Sequence, residues 1–194
     1  GKIGIQAIVN TMGVSVSAAF AVVNRIDDFA YTPEQNIAHA MTALMAQNKG
    51  AGKIDRMKEG FRSGIILEII YGILIFIICF MFARPLMLMF VKDEEVIGHG
   101  VTYLHLISVM YLLPALTNGI QGFFRGIGDL KITLISSFIN MALRVLAAAP
   151  LVLIWKMGIE ALPYSYLAGW IGMLVAETPL LLKTYKTWGR KAGQ

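Results

Sequence analysis

"VIGHGVTYLHLISVMYLLPALTNGIQGFF", residues 96–124, runs for 29 positions without an Asp, Glu, Lys or Arg. A helix needs roughly 20 such residues to cross the hydrocarbon core of a bilayer. The pattern recurs along the chain. Gly64 to Ala83 holds one charge, Glu68; Ile132 to Trp155 holds only Arg144; Ala161 to Leu182 holds only Glu177. The whole sequence is 57% hydrophobic and 15% charged, whereas soluble domains are about a quarter charged. A soluble bundle would have to draw its surface from too few polar positions. The expected fold is therefore an all-α integral membrane protein, a helical bundle. It has about five full transmembrane helices, at roughly 16–48, 64–84, 97–124, 132–155 and 160–182, after a truncated one at 1–12. "GKIGIQAIVNTMG" lacks the basic leader and cleavage pattern of a signal peptide and reads as the end of a longer helix.

Several soluble chemistries fail on spacing. "QNKGAGKIDR", residues 47–56, offers Gly50, Gly52 and Lys53. A phosphate-binding P-loop needs a glycine at position 47 and a Ser or Thr at 54; the chain has Gln47 and Ile54. Gly126 and Gly128 lack the third glycine of a dinucleotide fingerprint, since position 131 is Lys. Asp27-Asp28 does not extend into the aspartate motif of a prenyl-chain enzyme, because position 31 is Tyr. The lone Cys79 has no partner for a disulfide or metal site. No catalytic cluster emerges, and neither an enzyme, a cofactor nor a metal is expected.

Lys and Arg favour the cytoplasmic side of membrane proteins, and here they fall unevenly. The segments around Lys49–Arg62 and Arg125–Lys131, with the tail, carry eleven; the alternate segments carry three, Arg84, Lys92 and Lys156. The latter include the acidic run Asp93-Glu94-Glu95. The 47–56 loop and the C-terminus are thus expected to face the cytoplasm. This asymmetry accounts for the net charge of +5 without a nucleic-acid partner.

The segment Ala19–Asn48 is the least apolar of the spans. At about 100° per residue, Asn24, Asp28, Tyr31, Gln35 and His39 share one stripe. Arg25, Thr32 and Asn36 flank it on one side, Asp27 and Glu34 on the other. Ile26, Phe29, Ala30, Pro33, Ile37, Ala40, Met41 and Leu44 fall opposite. Lipid cannot cover so polar a face, so it lines a wet cavity or packs against other helices. A helix lying on the membrane surface is the alternative, although such helices usually have a basic polar face. Arg25 and Asp28, three residues apart, are expected to form an ion pair. Glu34 has no cation at neighbouring helical positions and so is a candidate for exchanging protons or binding a cation. His39 lies on the same stripe. Arg144, near mid-span, should face a carboxylate or the cavity. Glu177, near the cytoplasmic end, is expected to snorkel into a structural role.

"NRIDDFAYTPEQNIAHAMTALMAQNKGAGKIDR", residues 24–56, resembles the eighth-helix region of multidrug and toxic compound extrusion (MATE) transporters. "QGFFRGIGDLK", residues 121–131, resembles their Arg-Gly-x-Gly-Asp loop between the tenth and eleventh helices. The resemblance implies twelve helices in two pseudo-symmetric lobes that exchange a proton or sodium for cationic amphipathic drugs by alternating access. The chain would then be most of the C-terminal lobe, 1–194, entering partway through the seventh helix. It would sit in the cell membrane among lipids, with an N-terminal lobe as partner and a small cationic molecule as substrate. Some members carry acids in the seventh and tenth helices; Val101–Phe124 has none. Glu34 or Asp28 would then bind the coupling ion or substrate, or the N-terminal lobe would carry coupling. Asn24, Tyr31, Gln35, Asn36, His39 and Arg144 would line the cavity. A lipid-linked saccharide flippase of the same superfold is the alternative, and it would favour a larger basic cavity.

Overall fold

The computed structural model describes residues 2–191, with side chains described from 4 to 188. Among these residues the chain forms eight helices: α1 (Lys2–Asn10), α2 (Val14–Gly50), α3 (Ile54–Met81), α4 (Ala83–Leu88), α5 (Glu94–Ser108), α6 (Leu112–Gly126), α7 (Leu130–Leu153) and α8 (Ala161–Lys191). Three of them, α3, α7 and α8, are continuous and apolar enough to cross a membrane. Their outer faces carry exposed Ile70, Ile73, Leu134, Phe138 and Val175, a surface suited to lipid tails. At 37 residues, α2 extends about 55 Å at 1.5 Å per residue, long enough to cross despite its polar stripe.

The uncharged run 96–124, expected as one helix over 97–124, is divided. α5 and α6 meet at a bend of 52° and together make one broken span. Proline supplies the reason. Pro114 has no N–H to give to the carbonyl of Met110, and the Leu113 N–H bonds that carbonyl instead, at 2.9 Å. This tighter bond closes the break. It leaves Tyr111 at the corner, fully buried. Pro33, by contrast, lies inside an unbroken α2, where the Tyr71 hydroxyl donates to the nearby Ala30 carbonyl at 3.0 Å.

The basic segments meet at one end of the bundle. The α2–α3 connection is only three residues long, and Gly52 rather than Gly50 takes the left-handed conformation, with φ 68°. Lys49 donates its Nζ to the carbonyl of Ile127 in the α6–α7 turn. Tyr185 of α8 donates to the Lys58 carbonyl at 3.3 Å. The side chains of Arg190 and Lys191, part of the basic tail, lie outside the described residues. At the other end, Arg84 pairs with Glu94 at 2.9 Å and Asp93 caps α5 by accepting from the Glu95 and Val96 amides. The acidic run thus starts a helix, where carboxylates favour the exposed N–H groups.

α2 and α6 pack backbone to backbone through small residues on α6, the device that membrane helices use to approach closely. A Cβ at Gly122 would lie 2.6 Å from the Ala38 carbonyl oxygen, and one at Gly126 would lie 2.6 Å from that of Thr42. Thr42 bonds across the seam, its Oγ1 3.1 Å from the Gly122 carbonyl. Gly60 on α3 is different, because a Cβ there would meet the flexible end of Leu44. Gly122→Ala should therefore cost about 1–3 kcal/mol of stability, the usual range for forcing atoms into a packed core. Gly60→Ala should cost less. Thermal unfolding of both variants in detergent checks this, and equal shifts would contradict it.

Candidate functional site

A cavity of about 480 Å³ opens between α1, α2, α6, α7 and α8, within the range of sites that hold drug-sized molecules. Of the residues expected to line a cavity, Asn24, Asp28, Tyr31, Gln35 and Arg144 do so. Asn36 and His39 sit instead on the exposed side of α2 with Arg25, whereas Thr32, also exposed, lines the cavity. Asp28 and Arg25 are both exposed and form no ion pair with each other. Glu34 is outside this cavity, completely buried between α2, α3 and α6.

The buried face of α2 is centred on Asp27, Glu34, Ala38 and Met45, so the flank that carried Asp27 and Glu34 is the inside. Phe29 and Ala40, expected opposite the polar stripe, are exposed instead. The rotation follows from what α6 offers. Tyr111 donates its hydroxyl to Asp27 Oδ1 at 2.6 Å, and seven residues on, two helical turns, Asn118 Nδ2 stands 3.4 Å from Glu34 Oε2. The carboxylates on α2 are also seven residues apart, so the two helices match donor to acceptor over two turns. Glu68 of α3 completes the deeper group: it is fully buried, and neither of its oxygens has a partner. Asn118 and its neighbour Gly119 bring α6 against both acids, since a Cβ at Gly119 would lie 3.5 Å from Glu68 Cγ.

Arg144 reaches the cavity without pairing to a carboxylate. Its guanidinium lies over Tyr166, 4.2 Å from the ring centroid, and over Trp170 at 5.1 Å. Such stacking supports a cation within the membrane. Glu177 does not snorkel. It is fully buried, accepting from Ser136 at 2.5 Å and Gln121 at 3.3 Å, because α6, α7 and α8 converge there with two donors. Tyr103 is fully buried in the core, whereas Trp155 is exposed at the end of α7. Among the described residues no group of three His, Cys, Asp or Glu could hold a metal ion.

Sequence reading passed over Asp27, Glu68, Tyr111 and Asn118 as members of a site. A lone carboxylate inside an apolar run is the signal that marks Glu68. Nothing in the sequence pairs Tyr111 with Asp27 across 84 positions.

Apolar outer faces around an inner group of carboxylates define an α-helical membrane protein with a polar cavity inside its bundle. Residues 3–149 match the MatE family model. A probable multidrug resistance protein, YoeA of Bacillus subtilis, is 29% identical over 95% of this chain and 38% of its own length. A probable multidrug resistance protein, NorM of Thermotoga maritima, is 24% identical over 88% and 36%. A crystal structure of MATE in the bent conformation superposes with a TM-score of 0.90 at 15% identity, over 96% of this chain and 42% of that one. The chain belongs to the MatE family. It spans less than two-fifths of the length of these two curated relatives.

The two tyrosines of the site separate by their partners. Tyr111→Phe strands the Asp27 carboxylate and should cost about 1–3 kcal/mol, the usual penalty for an unsatisfied buried group. The Tyr31 hydroxyl is buried with no partner, so Tyr31→Phe should be neutral or stabilising. Comparing the unfolding temperatures of the two variants in detergent tests the assignment, and a larger loss at Tyr31 would contradict it.

Proposed function

We propose that the chain is one lobe of a cation-coupled antiporter that exports cationic amphipathic compounds by alternating access. A second lobe would come from the length that its relatives have beyond this match. The observation that carries the reading is α2 itself: one side is exposed and polar, the other buries carboxylates, and the helix is long enough to cross a bilayer. A helix of this kind is stable where a wet space between lobes solvates the polar side. Relatives named as multidrug resistance proteins support the same reading.

The two acidic groups suit different tasks. Asp27 and Asp28, in the cavity, are placed to attract a cationic substrate. Glu34 and Glu68, away from it and short of hydrogen-bond donors, are placed to hold a proton or a sodium ion. One such cation between them would offset the mutual repulsion of two buried carboxylates. Asn118 adjoins the cavity and contacts Glu34, so it links substrate and ion through one side chain. The orientation follows from the basic segments gathered at one end, which would be cytoplasmic in the cell membrane, C-terminus included. The alternative, a lipid-linked saccharide flippase, needs a basic cavity for a diphosphate. Two aspartates against a single arginine weigh against it.

Transport by the protein as its gene encodes it, reconstituted in liposomes, tests the assignment. Glu34→Gln and Glu68→Gln should each lower ion-driven efflux about tenfold or more, in keeping with loss of a buried charge-pair partner. Normal efflux with unchanged ion dependence in both variants would remove these residues from coupling.

A further inference from the structure

We propose that a groove between α2 and α3 holds one phospholipid from the leaflet at the basic end of the bundle, a zwitterionic lipid with a primary-ammonium headgroup. Its phosphate sits on Arg56, its ammonium on Glu59, and an acyl chain lies along the groove. Such a site requires only that the bundle lies in a membrane and does not depend on what is transported.

The groove encloses about 600 Å³ and shares no lining residue with the cavity between α1, α2, α6, α7 and α8. Gln35 on the cavity wall and Ala40 on the groove wall stand about 140° apart round α2 at 100° per residue. Gly60 and Gly64 shape the groove by leaving α3 bare beside α2. A Cβ at Gly60 would lie 2.2 Å from the Leu44 side chain, and one at Gly64 would lie 2.2 Å from that of Met41.

Polarity changes along the groove in the order of a lipid. Near the α2–α3 turn the lining includes Arg56 and Glu59; Ser63 follows, and beyond it come Leu67, Ala40 and Ile37. From Asn48 to Ile37 the lining extends about 16 Å along α2 at 1.5 Å per residue. That is close to half of a ~30 Å hydrocarbon core, the depth of one leaflet of tails. Leu67 continues into the exposed row of Ile70 and Leu74 on α3, so a lipid enters the groove from the bilayer.

Charge selects the headgroup. Of the basic residues at this end, Lys49 bonds the Ile127 carbonyl and Lys58 stands 4.0 Å from Asp55. Arg56 and Glu59, three residues apart on α3, are both exposed. Helical pairs at this spacing are within reach of each other, yet among the described residues neither makes an ion pair. A phosphate accepts paired hydrogen bonds from a guanidinium, and a primary ammonium donates to a carboxylate. A headgroup with both charges satisfies the two side chains together. An anionic headgroup without the ammonium would use Arg56 and be repelled by Glu59.

Native mass spectrometry of the protein as its gene encodes it tests this, with dioleoyl phosphatidylethanolamine and dioleoyl phosphatidylglycerol titrated in detergent. The first lipid bound should be held about fivefold more tightly when it is phosphatidylethanolamine, the strong end of the range for an exposed charge pair. Glu59→Gln should bring the two affinities level, and Arg56→Gln should weaken both. Ala40→Phe, at an exposed position, should weaken both by filling the groove while leaving its charged mouth unchanged. Equal binding of the two lipids by the wild type overturns the inference. So does a preference for phosphatidylglycerol, the result of simple attraction to basic residues. An unchanged ratio in Glu59→Gln overturns it as well, and unchanged binding in Ala40→Phe would put the lipid elsewhere and do the same. Binding of neither lipid also overturns it, and is the result if a helix of a second lobe or of a second copy fills the groove.

Discussion

The rest of this structure depends on one constraint: hydrocarbon offers no hydrogen bonds, so a polar side chain in a membrane-spanning helix must find its partner within the protein or in water. α2 carries more such side chains than any other span, and the bundle is arranged around that fact. Its inner face is closed by α3, α6 and the corner before α6, which supply Tyr71, Asn118 and Tyr111 as donors. Its outer face keeps Arg25, Asp28, Thr32, Gln35, Asn36 and His39 exposed. The helices with apolar outer surfaces, α3, α7 and α8, are the ones that can meet lipid on those surfaces. The packing of the bundle thus follows from where the polar groups of one helix can be placed.

Close helix approach makes this placement exact enough for chemistry. Glycines on α6 let its backbone touch that of α2, and the seam is pinned by Thr42 and Gly122. With the two axes held in register, Tyr111 and Asn118 fall opposite Asp27 and Glu34. The Pro114 break matters for the same reason: the bend sets Tyr111 at a corner from which its hydroxyl reaches the carboxylate. α7 and α8 repeat the device, with Gly169 letting the stem of Arg144 lie flat so that its head reaches the cavity. Packing residues that carry no charge therefore set where Asp27, Glu34 and Arg144 sit.

Much of this was legible in the sequence, because it depends on local composition. Runs with a single charge each marked the spans of α3, α7 and α8, and the lysines and arginines sorted the connections into two sets, the basic one of which the contacts of Lys49 and Tyr185 bring together at one end. Gly52 in "QNKGAGKIDR" turns the chain between α2 and α3. What could not be read is what depends on a second helix. The wheel of α2 separated a polar stripe from an apolar one but could not tell that Asp27 and Glu34, on the border, would face inward. That choice was made by donors 84 positions away, Tyr111 at the corner before α6 and Asn118 within it. Glu177 looked free to reach the membrane surface until Ser136 and Gln121 closed over it. The break in residues 96–124 was announced by Pro114, yet an uninterrupted apolar run hid it.

The central claim is that α2 crosses the membrane with one side wet. Cysteine accessibility tests it most directly, in a background where the buried Cys79 is replaced by serine. Thr32→Cys and Asn36→Cys sit on the exposed polar side of α2, and Ile70→Cys and Ile73→Cys on the exposed apolar side of α3. In intact membranes a charged, membrane-impermeant maleimide should label the first two readily and leave the second two unmodified. Thr32→Cys and Asn36→Cys proteins as unreactive as those at Ile70 and Ile73 would contradict the account.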